Sequence, residues 1–137
     1  YEGLEVSGNT VYNNVHTNDA HIATEGWDTG INMAGVLNAR VTNNLVYENQ
    51  GEGILTGGSR GVIIRNNIVH DNYSVEIYMD RAEDAIIDGN FIYNTGNATY
   101  LRDDEFCAEP CPQFTDDAKG PGDVTTRRAG QVMQDDS

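Results

Sequence analysis

The sequence predicts an all-β fold, a right-handed single-stranded parallel β-helix of about four coils with an irregular C-terminal tail. Three observations carry that expectation. A block of nine residues returns every 23 positions, an asparagine keeps its place in every copy, and short β-type runs alternate with turn residues without helical periodicity.

The repeat fixes the coil. Val41-Thr42-Asn43-Asn44-Leu45-Val46-Tyr47-Glu48-Asn49 returns as Ile64-Arg65-Asn66-Asn67-Ile68-Val69-His70-Asp71-Asn72 and again as Ile87-Asp88-Gly89-Asn90-Phe91-Ile92-Tyr93-Asn94-Thr95. An upstream copy, Val6 to Asn14, precedes its successor by 35 residues, so the first coil carries 12 extra residues. Because Ile31, Ile54, Ile77 and Tyr100 keep the 23 spacing, the insertion falls between Asn14 and Ile31, at 15–29. Coils are expected over 1–102, followed by an acidic irregular tail or cap at 103–137.

Each period holds three β-type runs, for example Val62 to Ile64, Ile68 to His70 and Glu76 to Met79, bounded by Gly, Asn, Ser or Asp. A single coil cannot bury its own apolar face. Stacking coils at about 4.8 Å pairs each strand with its equivalent in the next and builds one continuous core. Alternation places Val6, Val41, Ile64 and Ile87 inward in one sheet, Val11, Val46, Val69 and Ile92 in the second, and Ile31, Ile54 and Ile77 in the third. Asn9, Asn44, Asn67 and Asn90 then stack at the turn between the first two sheets. An amide offers donors and an acceptor together, so this column reads as an asparagine ladder of structural purpose. The residues before it, Gly8, Asn43, Asn66 and Gly89, are types that tolerate a left-handed corner.

The pattern Ile-x-x-Asn-x-Val-x-x-Asn followed by Gly-Ile-x-Leu resembles the repeats of the pectin-lyase-like superfamily, over roughly Leu4 to Leu101. The resemblance implies a carbohydrate-active setting of lyase, hydrolase or epimerase type, though the superfamily also holds non-catalytic surface proteins. It implies too that substrate lies along the outer face of the sheet containing Ile31, Ile54 and Ile77. Fold alone does not assign the reaction. The family's marked active sites are missing: the one Lys is Lys119, in the tail, and of the hydrolase elements only an acidic pair, Asp103-Asp104, is present.

Composition narrows the partners. The 22 acidic against 8 basic residues give a net charge of −14, which repels nucleic acid, anionic membranes and polyanionic sugars unless a cation intervenes. No apolar run is long enough for membrane insertion. Cys107 and Cys111 are spaced to close a small disulfide loop, and with so few Lys and Arg the expected location is secreted.

Two groups are candidate site residues. On the sheet that the resemblance makes substrate-facing, the outward set is expected to be Asn32, Leu55, Tyr78 and Leu101, with Glu76 and Asp80 flanking Tyr78. Asp103 follows Asp80 by 23, so the two carboxylates are expected one coil apart, close enough to raise a pKa or share a Ca2+. Glu76, Asp80 and Asp103 are therefore the acid–base candidates, with Tyr78 and Asn32 as sugar contacts. Against this stands a solvated acidic edge neutralised by Arg81 and Arg102. The insertion adds His16, His21 and Trp27, with Trp27 as a ring platform. The spacing of His16, Asp19 and His21 matches no compact metal motif, so no metal is assigned.

Tyr12, Tyr47, His70 and Tyr93 form an exterior column in which His70 reads as a stacked ring rather than a base, and Arg65 with Asp88 reads as a cross-strand ion pair. Asn72-Tyr73-Ser74 and Asn97-Ala98-Thr99 match the glycosylation sequon. Four coils stack to only about 19 Å, short for an enzyme of this kind, so either a longer helix or self-association through open coil ends is expected. Two readings stand: a secreted segment engaging polysaccharide, or a non-catalytic structural, adhesive or filament-forming solenoid.

Overall fold

The computed structural model describes residues 1–14, 29–95 and 132–135. In chain order the strands are β1 (Glu5–Ser7), β2 (Thr10–Tyr12), β3 (Thr29–Asn32), β4 (Arg40–Thr42), β5 (Leu45–Tyr47), β6 (Glu52–Gly57), β7 (Ile63–Arg65), β8 (Ile68–His70), β9 (Ile77–Asp80), β10 (Ile86–Asp88), β11 (Phe91–Tyr93) and β12 (Val132–Asp135). They form three four-stranded sheets, ordered β1-β4-β7-β10, β2-β5-β8-β11 and β3-β6-β9-β12. Every pairing is parallel, so each coil contributes one strand to each sheet: a parallel β-helix.

The register is the one the repeat dictates. Val6, Val41, Ile64 and Ile87 are successive partners in the first sheet, Val11, Val46, Val69 and Ile92 in the second, and Ile31, Ile54 and Ile77 in the third. The middle coils bury these side chains completely, while Val6, Val11, Ile87 and Ile92 at the two ends are half-buried. Between Tyr12↔Tyr47 and Thr29↔Glu52 the pairing offset changes, which puts the insertion of the first coil where the spacing predicts it.

Sharp corners separate the strands, and they too recur in columns. Gly3, Asn38, Gly61 and Asp84 share one left-handed corner, Gly8, Asn43, Asn66 and Gly89 a second, Asn13, Glu48 and Asp71 a third, and Gly35, Gly58 and Arg81 a fourth. Asn and Asp occupy most of the non-glycine positions because their short side chains tolerate positive φ.

The asparagine ladder is present. The backbone N–H and Nδ2 of Asn44 both donate to Asn67 Oδ1, at 2.9 and 3.0 Å, and Asn67 donates in the same way to Asn90 Oδ1, at 2.9 Å for each. Each amide also donates to the preceding coil, as Asn67 Nδ2 does to the Val41 carbonyl at 2.9 Å. A second ladder runs along Asn14, Asn49 and Asn72: Asn14 Nδ2 donates to Asn49 Oδ1 at 3.0 Å, and Asn49 Nδ2 to Asn72 Oδ1 at 2.7 Å.

The third sheet is completed by β12, in which Val132 pairs with Ile77, so the stretch expected as an irregular tail or cap contains a regular strand. Tyr100, Leu101, Arg102, Cys107 and Cys111 lie outside the described residues.

Candidate functional site

The outer face of the sheet β3-β6-β9-β12 is organised by alternation. Ile31, Ile54 and Ile77 point into the core, and with them Met33, Thr56 and Met79, one strand step further on. The intervening residues therefore face out: Asn32, Leu55 and Tyr78 form one row in direct register, Asn32 exposed and the other two half-buried. Asp80 stands in the next row, opposite Gly57. Asn32 Oδ1 accepts from the backbone N–H of Ala34 at 3.0 Å, which turns the end of β3 and fixes the amide.

Asp80 is not a free carboxylate. Arg81 Nε and Nη2 donate to its two oxygens at 3.0 and 3.1 Å, a forked ion pair held by an arginine whose own backbone is left-handed, at φ 48°. The neutralising role expected of Arg81 is thus realised. One coil on, Asp135 of β12 stands in register with Asp80, and the expected Asp80–Asp103 juxtaposition falls on a residue outside the described ones. Asp103, His16, His21 and Trp27 lie outside the described residues.

Glu76 requires a larger correction. It was expected on the outer face beside Tyr78, yet it is only 2% exposed. The regular strand begins at Ile77, so counting alternation back to Glu76 crosses a corner, where the side chain turns inward. There Asn72 Nδ2 donates to Glu76 Oε2 at 2.5 Å and the Asn72 backbone N–H to Oε1 at 3.3 Å. Burial pushes its carboxyl up to about 8 despite those hydrogen bonds, and the neighbouring Asp71 adds to the rise.

Asp71, also buried, behaves oppositely. Burial alone would raise it, but the hydrogen bond to His70 and those from Thr95 outweigh that and hold it below the usual carboxylate value. His70 Nδ1 lies 2.8 Å from Asp71 Oδ2, and the Thr95 backbone N–H donates to Oδ1 at 2.8 Å. The Asn72 sequon is closed to modification, since the amide is 2% exposed and committed to the second ladder.

The exterior column of rings stacks as the sequence suggests. Tyr12, Tyr47, His70 and Tyr93 follow one another at centroid separations of 5.1, 5.1 and 4.5 Å with interplanar angles of 12° or less. The faces inside the column are occupied by one another. A sugar ring needs an open face, so the column serves coil stacking and leaves the Tyr78 row as the candidate surface. The Arg65–Asp88 pair closes at 3.1 Å on the first sheet. Among the described residues no group of three or more His, Cys, Asp or Glu is arranged to hold a metal ion.

Sequence reasoning missed the second ladder and its junction with Glu76 and Asp71. The signal was available: Asn14, Asn49 and Asn72 keep the repeat spacing, and Gly30 and Gly53 are followed in the same column by Glu76.

No curated protein and no solved structure matches the chain. A family model described as "Right handed beta helix region" matches residues 2–112, most of the length, in agreement with three parallel sheets in coil register; the chain belongs to that right-handed β-helix family.

Proposed function

We propose that this β-helix is an extracellular module that engages a polysaccharide along the outer face of the sheet β3-β6-β9-β12. The observation that carries the reading is the row Asn32, Leu55 and Tyr78, in which a fixed amide, an aliphatic side chain and a phenol stand at one-coil intervals on a rigid sheet. A glycan presents both C–H faces and hydroxyls, and an aromatic ring beside polar groups is the surface that recognises both. The net charge of −14 favours neutral or cationic chains over pectate-like or alginate-like polyanions. Binding without chemistry is the natural role of this face. Glu76 is withdrawn into the core and Asp80 is engaged by Arg81, so neither offers a free carboxylate there.

A glycan array probed with the purified chain, with and without Ca2+, tests the proposal. Binding to neutral or amino-sugar polymers is expected, and Tyr78→Ala should weaken it about tenfold or more, about 1.4 kcal/mol, with unchanged far-UV circular dichroism. An array without hits, or full binding by the variant, overturns it.

A second reading, a structural or assembly solenoid, draws on the way His70, Asp71, Arg65 and Asp88 are spent on coil-to-coil contacts. Concentration-dependent growth in light scattering without any glycan binding would select it.

A further inference from the structure

The second ladder ends differently from the first. In the lower coils, each Asn of the column has its backbone N–H and Nδ2 received by one oxygen, the Oδ1 of the next Asn: Asn14 by Asn49 and Asn49 by Asn72. Above Asn72 the repeat offers Thr95, which cannot supply an amide and is instead drawn to Asp71 through its backbone N–H and Oγ1, the latter at 3.0 Å from both carboxylate oxygens. The place of the missing acceptor is taken by Glu76, whose two oxygens receive the same pair of Asn72 donors.

The column in which Glu76 stands explains why it can do so. Its predecessors are Gly30 and Gly53, where a β-carbon would come within 2.8 Å of the Nδ2 of Asn49 and Asn72 respectively, the ladder residue of the next coil. With Thr95 instead of Asn in the fourth coil, a side chain becomes admissible at position 76. The sequence fills it with an ionisable one.

We propose that the contact between the third and fourth coils is a proton-linked junction: Glu76 keeps its proton while the fourth coil is closed over it and gives that proton to water when the coil opens, so that rising pH favours opening. Burial makes ionisation of Glu76 in place unfavourable, outweighing the N–H donors of Asn72 and Asp71 that favour the anion. Gly53 below it and Asn72 beside it carry no charge, Glu52, which precedes Gly53, is itself a buried carboxyl, and Asp71 is an anion paired with His70 and Thr95. No cation among the described residues faces it, His70 being turned to Asp71. The fourth coil is the layer over this corner, through Thr95 on Asp71 and β12 alongside β9.

The direction follows from linkage. The closed form binds the Glu76 proton up to about pH 8, whereas a solvated Glu releases it near its ordinary value of 4.5. Between those limits the open form holds fewer protons, so the closed form loses stability with rising pH by about tenfold in the opening constant per pH unit, and above about pH 8 the dependence levels off.

Hydrogen exchange of the full chain, read by mass spectrometry over the segment 86–95 and corrected for the intrinsic pH dependence of exchange, tests the junction. From about pH 5.5 to 7.5 protection there should fall about a hundredfold in the native sequence. In Glu76→Gln, a neutral side chain whose oxygen accepts from the same Asn72 donors, most of that dependence should vanish, with His70 and Asp71 still in place. Parallel pH profiles for the two proteins overturn the proposal. A 13C-observed titration of the Glu76 carboxyl provides a readout that does not depend on the variant folding, and a midpoint near that of a solvated Glu would equally overturn it.

Discussion

Thr56 lies completely buried between residues of the Met33 and Met79 column, and its hydroxyl finds no hydrogen-bond partner among the described residues. Ser59 repeats the situation between Val36 and Ala82. A buried hydroxyl left without a partner has lost its water and gained nothing in return. Thr56→Val, which exchanges that hydroxyl for a methyl of similar size, should therefore stabilise the chain by about 1 kcal/mol, seen as a higher urea midpoint at unchanged slope; a lower midpoint would show that the hydroxyl is engaged after all. At this scale Glu76 was not legible. Its neighbours Ile77 to Asp80 alternate as a strand should, and nothing in the local pattern marks the corner at which alternation stops. The glycines of its column carried the only hint.

Among the elements, the corners decide how closely coils approach. At Gly53 a β-carbon would press on the Glu76 carbonyl and come within 2.8 Å of both Asn72 Nδ2 and Val69 Cγ1, groups that belong to the coil above and have no open space to enter. Gly53→Ala should accordingly cost about 2 kcal/mol or more in chemical denaturation, chiefly by prising β6 from β9. A neutral outcome would mean that the coil spacing at this corner is softer than its contacts imply. The columns of Val, Ile and Asn could be read from the sequence because a solenoid gives each coil the same environment, so the same residue type solves it each time. The partner of Asp80 could not. Beyond Asp103 the sequence has no repeat from which to count, and the register of β12 emerges only from its pairing with β9. The outward row Asn32, Leu55, Tyr78 was legible for the opposite reason: β3, β6 and β9 keep strict register across it.

For the whole molecule, the burden is like charge. A net charge of −14 on 137 residues is opposed by few cations, and three of the described arginines are spent locally, Arg60 on Asp84 at 3.0 Å, Arg65 on Asp88 at 3.1 Å and Arg81 on Asp80 at 3.0 Å. Self-repulsion of this kind is long-ranged and screened by salt, while the exposed ion pairs contribute little. The thermal midpoint should consequently rise as sodium chloride is raised from low ionic strength to about 0.15 M and beyond; a falling midpoint would place the local pairs above the global repulsion. The stack also has a direction. In both asparagine columns the amide N–H points toward the C-terminal side and the oxygen toward the N-terminal side, from Asn9 to Asn90 and from Asn14 to Asn72. Extra layers are consequently not interchangeable between the two ends: a module grafted beyond Asn90 has to bring an oxygen, one grafted beneath Asn9 has to bring an N–H, and inverting the graft would set like poles against each other.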